Sequence, residues 1–467
     1  MPARFVNIDH DPPLLLPPDL RQWVPADHLV HFIMDAVGEL DLRGVRVNER
    51  GTGDAQYPPS VLLGLLIYSY ATGVFSSRQI EAATHDRVAV RLLCADTHPD
   101  HDTICTFRRK NRELLARSFA RVIELSASCG VLKVGGITVA IDGTKVLANA
   151  SKHAAVSHGR AGKLMGELDL EIEELLRKAE DADSTPLDDG LSIPAEVQRR
   201  QERKAKLAQA RAEIEARAQA RAALERAEYE RKLATRDATR ATGKKPRGKE
   251  PQPPSDAPNP KDQVNFTDPE SRIMPVSGGG FEQCYNAQAA VEVESRLIVG
   301  QRVSDAPNDK EQLVPSLAAV EAAAGPVAEI LIDSGFVSEA AVRTVESGTD
   351  GQPNGLRVLA AMSRERHGRR VGDLEKKADP AAPDPAAPWA EQMSHRVATK
   401  AGRARYKLRQ QTVEPVFGIL KAALGFRAFR LRGLAGVATE WTLLTLAYNL
   451  RRLHRLGAQL KATPVAA

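Results

Sequence analysis

The sequence predicts an α/β protein in which a mixed sheet with helices is preceded by an all-α N-terminal domain and interrupted by a helical insertion. Helical patterns follow one another closely up to about residue 130. Apolar runs bounded by glycine, which are typical of buried strands, start at Gly135 and return after Gly278, and a long Ala/Glu/Arg/Leu-rich stretch separates them. The 467 residues exceed what one hydrophobic core usually serves, so we expect several folding units.

The composition excludes several classes of protein. With 42% hydrophobic and 27% charged residues the chain is ordinary for a soluble globular protein, and its four cysteines form no CxxC pair, which excludes a disulfide scaffold. The N-terminus lacks the basic region and apolar core of a signal peptide, and the uncharged stretch 55–77 contains two prolines and several polar residues, which favours a buried helix over a membrane span. We therefore expect a cytoplasmic protein without a membrane partner.

Residues 1–132 are predicted to form the helical N-terminal domain. Helices are expected over about 26–40, from the prolines at 58 and 59 to Ala71, after Ser76 or Ser77, and from an Asp102 cap onward. The last of them presents four basic residues, Arg108, Arg109, Lys110 and Arg112. This makes the domain a candidate for DNA binding, while ordinary solvated charges account for the composition equally well.

Four side chains in this domain superficially offer zinc ligands, namely Cys94, His98, His101 and Cys105. Their spacing is compressed, and Pro99 with the predicted cap divides them between a turn and a helix. We therefore interpret the segment HPDHDT as a loop rather than a zinc site.

Two of the predicted strands end in a carboxylate. The run ITVAID ends at Asp142 and AEILID ends at Asp333. Acidic side chains just beyond a strand's last apolar residue point into the cleft at that end of the sheet, which suggests a functional site. Nearby glycines make turn formation the competing explanation. The sheet domain is predicted to comprise residues 133–155 and 275–455.

A helical, coiled-coil-like insertion at 156–240 and a Pro-rich linker at 241–274 are predicted to divide this domain. A thin apolar stripe at helical spacing runs along the insertion, formed by Leu207, Ala210, Ile214, Ala218 and Ala222. Its many charges are interpreted as a solvated face rather than a DNA-binding surface. Residues 456–467 are predicted to be a tail.

The segment between His395 and Arg432 contains ten basic residues and a single acid, Glu414. Basic residues neutralise DNA phosphates, whereas a lone carboxylate among them repels phosphate unless a cation lies between. The usual cation is Mg²⁺, which binds few carboxylates together with substrate phosphate oxygens. In a continuous helix Lys421 would lie two turns beyond Glu414 on the same face.

Two further features have simple structural interpretations. Asp309 is predicted to cap a helix over 309–323 rather than to belong to a site. Trp441, Leu444 and Tyr448 follow helical spacing and are predicted to be core residues rather than a platform for stacking bases.

Three motifs in this chain resemble those of the DDE transposases of bacterial insertion sequences. They are IDGTKVLANASKH around Asp142, ILIDSGF around Asp333 and YKLRQQTVEPVFGILK around Glu414. The segments YPPSVLLGLLIYSYATGVFSSRQIE and HPDHDTICTFRRKN resemble the helical domain that precedes the catalytic domain in one branch of that family. The resemblance implies a ribonuclease-H-like catalytic domain, with the first Asp on the first strand, the second after the fourth strand and the Glu on a later helix.

The resemblance also implies the chemistry. It predicts DNA cleavage at element ends and strand transfer into target DNA with two Mg²⁺ ions, for which Mn²⁺ is an alternative. Asp142 would bridge both ions, and Asp333 and Glu414 would each complete one coordination sphere. The predicted DNA contacts are Lys145, Arg405, Tyr406, Lys407, Arg409 and Lys421. The family's Tyr-Arg-Glu-Lys signature maps onto four of these positions, but the gap between Arg409 and Glu414 is four residues instead of the expected three.

The implied partners are double-stranded DNA, as terminal inverted repeats and as target, and a second copy of the chain in a homodimer on DNA. The implied location is the bacterial cytoplasm, in association with the nucleoid. Two alternatives remain: a non-catalytic DNA-binding relic or repressor on the same scaffold, and a ribonuclease-H-like structure-specific nuclease. The presence of all three acids favours an active transposase.

Overall fold

The computed structural model describes residues 19–45, 56–182, 192–241, 243, 245–246, 248–348, 351–362, 378–458 and 460. The N-terminal helices are α1 (Leu20–Trp23), α2 (Leu29–Gly38), α3 (Pro59–Ala71), α4 (Ser77–Asp86), α5 (Val88–Leu93), α6 (His101–Lys110) and α7 (Arg112–Ser128). The following elements are β1 (Ile137–Leu147), β2 (Ala155–Ser157), α8 (His158–Ala182), α9 (Ile193–Ala241), β3 (Gln263–Asn265), β4 (Arg272–Pro275), β5 (Phe281–Glu292), β6 (Ile298–Ser304), α10 (Leu313–Ala324), β7 (Val327–Ile332), α11 (Glu339–Glu346), β8 (Arg357–Ala360), α12 (Trp389–Ala398), α13 (Lys400–Gly418) and α14 (Leu434–Arg455).

Helix α3 is surrounded by other elements. Pro59 stands at its start, where a proline costs no hydrogen bond, and every residue from Leu62 to Ala71 is buried. An uncharged helix of this kind is stable only when its whole circumference is covered, and α2 and α14 pack against it. The expected buried helix is therefore confirmed. None of the helices in the described ranges is long and apolar enough to cross a bilayer.

A mixed sheet forms the centre of the described structure. Its strands lie in the order β4–β5–β1–β7–β8, and β6 pairs with the half of β5 that β4 leaves open. Strand β1 is antiparallel to β5 and parallel to β7, and β7 is parallel to β8. The predicted α/β class with a mixed sheet after an N-terminal helical region is confirmed.

Strand β1 is longer than the sequence suggested. It continues beyond Asp142 to Leu147, because β5 pairs with it as far as the Leu147–Cys284 position. Asp142 therefore lies within a strand rather than at its end, although the parallel neighbour β7 stops beside it. The segment Gly143–Thr144–Lys145 resembles a turn in sequence but is extended, since cross-strand hydrogen bonds outweigh local preference.

Two helix caps also differ from expectation. Helix α10 begins at Leu313, so Asp309 is not its cap. Helix α6 is capped by Asp100, whose carboxylate accepts a hydrogen bond from Thr103 N at 2.8 Å, and Asp102 lies in the first turn.

The insertion is a helical hairpin of α8 and α9 with a small core separate from the main one. The predicted apolar stripe on α9 is buried as expected. Ion pairs across the hairpin, such as Arg200–Glu171 at 2.7 Å, add to this packing. The segment predicted as a linker at 241–274 also contributes structure, because β3 pairs with β2 and β4 pairs with β5.

Helix α14 joins the N-terminal helices to the sheet. It packs against α3 and α7 on one side and β6 on the other, and a single hydrophobic cluster includes all of these elements. Trp441, Leu444 and Tyr448 are buried in that cluster, as predicted.

A buried polar network crosses the same interface. Glu440 on α14 accepts a hydrogen bond from the Tyr70 hydroxyl at 2.8 Å, and Arg108 Nη1 donates to that hydroxyl at 2.6 Å. Arg108 is only 3% exposed. It therefore stabilises the helices from inside and is not presented to solvent, unlike its basic neighbours on α6.

Candidate active site

Asp142 and Asp333 lie side by side where β7 ends. The parallel pairing of β1 with β7 runs to two residues before each of them, and Asp333 is the first residue after β7. Asp142 Oδ1 accepts a hydrogen bond from Gly143 N at 2.8 Å, and Asp333 Oδ1 accepts one from Gly335 N at 2.9 Å. Two acids that are far apart in sequence are thus adjacent in the fold.

Helix α13 is fixed across this edge of the sheet by Arg405. Its Nε donates to Glu329 Oε2 at 2.8 Å, and its Nη2 donates to Thr138 Oγ1 at 2.8 Å. Because Glu329 lies on β7 and Thr138 on β1, the ion pair holds the helix over both strands. The predicted DNA contact Arg405 therefore has a structural partner in the chain.

One turn later, Arg409 links the acids of α13 and β1. Its Nη1 donates to Asp142 Oδ2 at 3.1 Å, and its Nη2 lies 3.5 Å from Glu414 Oε1. The side chain of Arg409 is 11% exposed and that of Glu414 is 54% exposed. The guanidinium is therefore a shared counter-charge, with Glu414 at its solvent side.

The electrostatics of Asp142 depend on this arrangement. Burial raises the pKa of Asp142 to about 6, and the neighbouring Asp333 adds to the increase, while the Arg409 guanidinium opposes it. Near pH 6, a proton and a cation therefore compete for the Asp142 carboxylate.

The donor set suits a hard divalent ion. Asp142, Asp333 and Glu414 offer carboxylate oxygens, which are the protein ligands that Mg²⁺ prefers, together with substrate phosphates and water. Within the ranges that the structure describes, no three His, Cys, Asp or Glu side chains already converge as a metal cage. Arg409 instead supplies the positive charge between Asp142 and Glu414.

The two histidines considered as zinc ligands have other contacts. His98 Nδ1 lies 3.1 Å from Thr84 Oγ1, and its ring stacks on His85 at 3.9 Å between centroids. His101 Nδ1 lies 2.8 Å from Glu81 Oε2.

Two family models match the chain. Residues 18–110 match a transposase domain (DUF772), and residues 383–454 match a transposase DDE domain that includes Glu414 and most of α13 and α14. Both matches are to transposase domains, and together they are consistent with a DDE transposase of an insertion sequence. Comparisons with curated proteins and with solved structures gave no significant match. Asp142 and Asp333 lie outside both matched ranges, so their assignment depends on geometry.

Lys421 and Lys145 are connected by a hydrogen bond. Helix α13 changes to a π-helical turn over Ile419–Ala423, so Lys421 is not on a continuous α-helix with Glu414. Its ammonium donates to the Lys145 carbonyl at 2.7 Å. Lys145 Nζ is itself buried without a hydrogen-bond partner in the described structure, and burial lowers the pKa of both lysines.

Tyr406 and Lys407 line a cleft of about 640 Å³ at the end of β8, and Tyr406 is close enough to Asp333 to interact with it electrostatically. Burial raises the pKa of the Tyr406 hydroxyl, which also interacts with Arg409. Lys407 is exposed at the mouth of this cleft. These two predicted contacts thus border the acidic site on one side.

A polar layer beneath Asp142 was not predicted from the sequence. Asp309 Oδ1 accepts hydrogen bonds from Asn286 Nδ2 and Gln288 Nε2, each at 2.7 Å, although both amide side chains are at most 1% exposed. All three lie against Gly143, where a Cβ would come within 2.9 Å of each. Asn286 and Gln288 are two residues apart in β5 and therefore share one face of the sheet, which is the sequence signal for a polar face there.

Proposed function

We propose that this transposase catalyses metal-dependent DNA cleavage at the ends of its element and strand transfer into target DNA. The observation that carries the proposal is the meeting of Asp142 and Asp333 at the end of β7 with Arg409 and Glu414 above them. Carboxylates from two strands and a basic helix at one edge of a sheet supply the ligands and the positive charge that phosphate chemistry needs.

The order of the elements supports a ribonuclease-H-like catalytic domain. Asp142 lies on β1, the first strand of the main sheet in chain order. Asp333 follows β7, which is the fifth of the six strands in that order and the fourth when the short edge strand β4 is left out. Glu414 lies on the later helix α13. This is the order that the family resemblance implies.

In this proposal Asp142, Asp333 and Glu414 hold the divalent ions, two Mg²⁺ or in their place Mn²⁺. When bound, such ions activate water or a 3′-hydroxyl and stabilise charge on the attacking and leaving oxygens. Arg409 orients the Asp142 and Glu414 carboxylates. Lys407 and Tyr406 border the site from the side of β8, where they can contact the DNA backbone.

The DNA contacts are assigned by charge and position. Arg405, Tyr406, Lys407 and Arg409 follow one another along α13, and Lys421 and Lys145 lie where its π turn crosses β1. Contacts of this kind fix the register of a duplex without reading its sequence. We further propose that the transposase works in the bacterial cytoplasm, on DNA of the nucleoid.

Cleavage assays test the proposal. Purified protein with Mg²⁺ and a duplex carrying the candidate inverted repeats that flank the gene should cut at the repeat ends. Asp142→Asn, Asp333→Asn and Glu414→Gln should each reduce cleavage by about 10³-fold or more while DNA binding persists. Glu294→Gln, at an exposed turn, is the matched control and should cleave normally.

Other outcomes would redirect the assignment. Binding by the natural protein without any cleavage would indicate a relic or repressor. Cleavage of branched DNA regardless of repeat ends would indicate a structure-specific nuclease. Undiminished cleavage in all three acidic variants would exclude the proposed site.

A further inference from the structure

A second basic surface lies at the junction of the N-terminal helices with the segment that precedes α14. It is a cleft of about 590 Å³ lined by Arg109, Arg112, Arg430 and Arg432, and no acidic residue lines it. We call it the arginine cleft. Arg109 lies in the last turn of α6 and Arg112 begins α7, so the two walls come from regions more than 300 residues apart in sequence.

The arginines of the cleft are available for a ligand. Arg109, Arg112 and Arg430 are exposed, and within the described part of the chain their guanidinium groups take part in no ion pair. The guanidinium group of Arg432 donates only to the Asn149 carbonyl there, at 3.0 Å. Neighbouring Arg108, by contrast, is buried and bound to Tyr70. Four guanidinium groups without carboxylate partners around one hollow create a strongly positive potential, which favours an anion with several charges.

The walls of the cleft are held in place by buried contacts. Glu440 Oε2 accepts from Arg430 N at 2.7 Å and from Leu431 N at 3.0 Å, and its other oxygen accepts from Tyr70. Asn149 Nδ2 donates to the Arg430 carbonyl at 2.8 Å. The arginines therefore stand on a fixed frame, which lowers the entropy lost when a ligand binds.

The cleft lies a short distance from the carboxylates. Asn149 follows Asp142 by seven residues along β1 and its extension, which spans at most about 23 Å at the rise of a β-strand. This is about two thirds of one turn of a DNA duplex. A duplex that places one phosphate at Asp142 can therefore bring another part of its backbone to the arginine cleft.

We propose that the arginine cleft binds backbone phosphates of the DNA duplex held at the carboxylates, and so couples the N-terminal helices to the catalytic domain on one DNA arm. The inference rests on the proposed function. Guanidinium groups suit this partner because they form bidentate hydrogen bonds with phosphate oxygens. These contacts position the duplex and are independent of its sequence.

Salt-dependent DNA binding tests the cleft separately from catalysis. Binding of a mixed-sequence duplex of about 30 base pairs, without divalent ions, is measured by fluorescence anisotropy at several salt concentrations. Arg109→Ala with Arg112→Ala, and Arg430→Ala with Arg432→Ala, should each lower the slope of log K against log salt by about 2 and weaken binding by about tenfold or more. The control pair Arg21→Ala with Arg343→Ala replaces two exposed arginines elsewhere and should leave the slope unchanged.

The outcomes distinguish this inference from the proposed function. Unchanged slopes in both cleft variants, whose thermal unfolding matches that of the natural protein, would refute the cleft even if cleavage at repeat ends is observed. Reduced slopes would support the cleft even if the natural protein cuts no DNA. Lysine at the same four positions should retain most of the slope, because the charges persist.

Discussion

Arg409 is the counter-charge for two of the three acids in the proposed site, Asp142 and Glu414. The Tyr-Arg-Glu-Lys pattern predicted Arg409 as a site residue, although the gap between Arg409 and Glu414 is one residue longer than the pattern expects. The structure accommodates the longer gap because the flexible arginine side chain reaches both Asp142 and Glu414 from its own turn. Pattern spacing alone could not reveal this, since it records backbone positions and not side-chain reach.

Asp142 should make the metal-free protein less stable at neutral pH. Its pKa is about 6 in the folded chain against 3.8 without the surrounding structure. The neutral form therefore favours folding below pH 3.8, and that contribution is lost as the pH rises through about 6. In EDTA at about pH 7.5, Asp142→Asn should be more stable than the natural protein by about 2 kcal/mol, as measured by urea unfolding.

The difference should shrink toward about pH 4.5, where Asp142 is protonated in the folded chain. Asp102→Asn changes a carboxylate that is 89% exposed and should have no comparable effect. Equal stability of Asp142→Asn and the natural protein at both pH values would contradict the raised pKa.

Asp309 should be essential for the polar layer beneath the site. Replacement by Ala removes the acceptor of Gln288 Nε2 and one of two acceptors of Asn286 Nδ2, which also donates to the Ala306 carbonyl at 3.2 Å. Both amide side chains are buried. Unpaired buried donors cost roughly 1–3 kcal/mol each, so Asp309→Ala should reduce the free energy of unfolding by about 2–4 kcal/mol in a denaturant titration. Glu311→Ala, an exposed neighbour, should change it by less than about 0.5 kcal/mol.

At the scale of elements, the sequence predicts most helices and strands but not their long-range partners. Apolar runs and glycine boundaries locate β5, β6 and β7 well, and the alanine-rich stripe locates the hairpin helix α9. The extension of β1 and the short strands β3 and β4 escape local reasoning, because they form only through pairing with distant segments. The acids on β1 and after β7 are predictable as motifs, while the layer around Asp309 is not.

The polar network that joins α3 and α6 to α14 illustrates the same limit and leads to a prediction. Tyr70 and Glu440 are 370 residues apart, and no local pattern joins them. Glu440→Ala would leave Arg108 buried, with Tyr70 as its remaining side-chain partner in that network, which should cost about 3–5 kcal/mol in the free energy of unfolding. Urea unfolding of Glu124→Ala, which removes an exposed pair, should differ little from that of the natural protein.

At the scale of the whole molecule, the N-terminal helices and the sheet share one hydrophobic cluster, and the insertion has its own. The sequence suggested separate units because composition changes sharply along the chain. The structure shows instead that α14, at the C-terminal end of the described region, lies between the N-terminal helices and the sheet. DNA held by the N-terminal helices would therefore be held in a fixed position relative to Asp142.

The last prediction concerns the number of chains that act together on DNA. Each chain carries one set of three proposed catalytic acids. Transposition requires action on two element ends, and one site of this size accommodates one scissile phosphate at a time, so we expect two chains on paired ends. Native mass measurement of the complex with end duplexes should give two chains and two duplexes. When natural protein and Asp142→Asn are mixed equally, only about one quarter of the dimers contain two active sites, so joining of both ends should fall to about 25%. A fall to about one half, with one chain in each complex, would show that each chain acts alone.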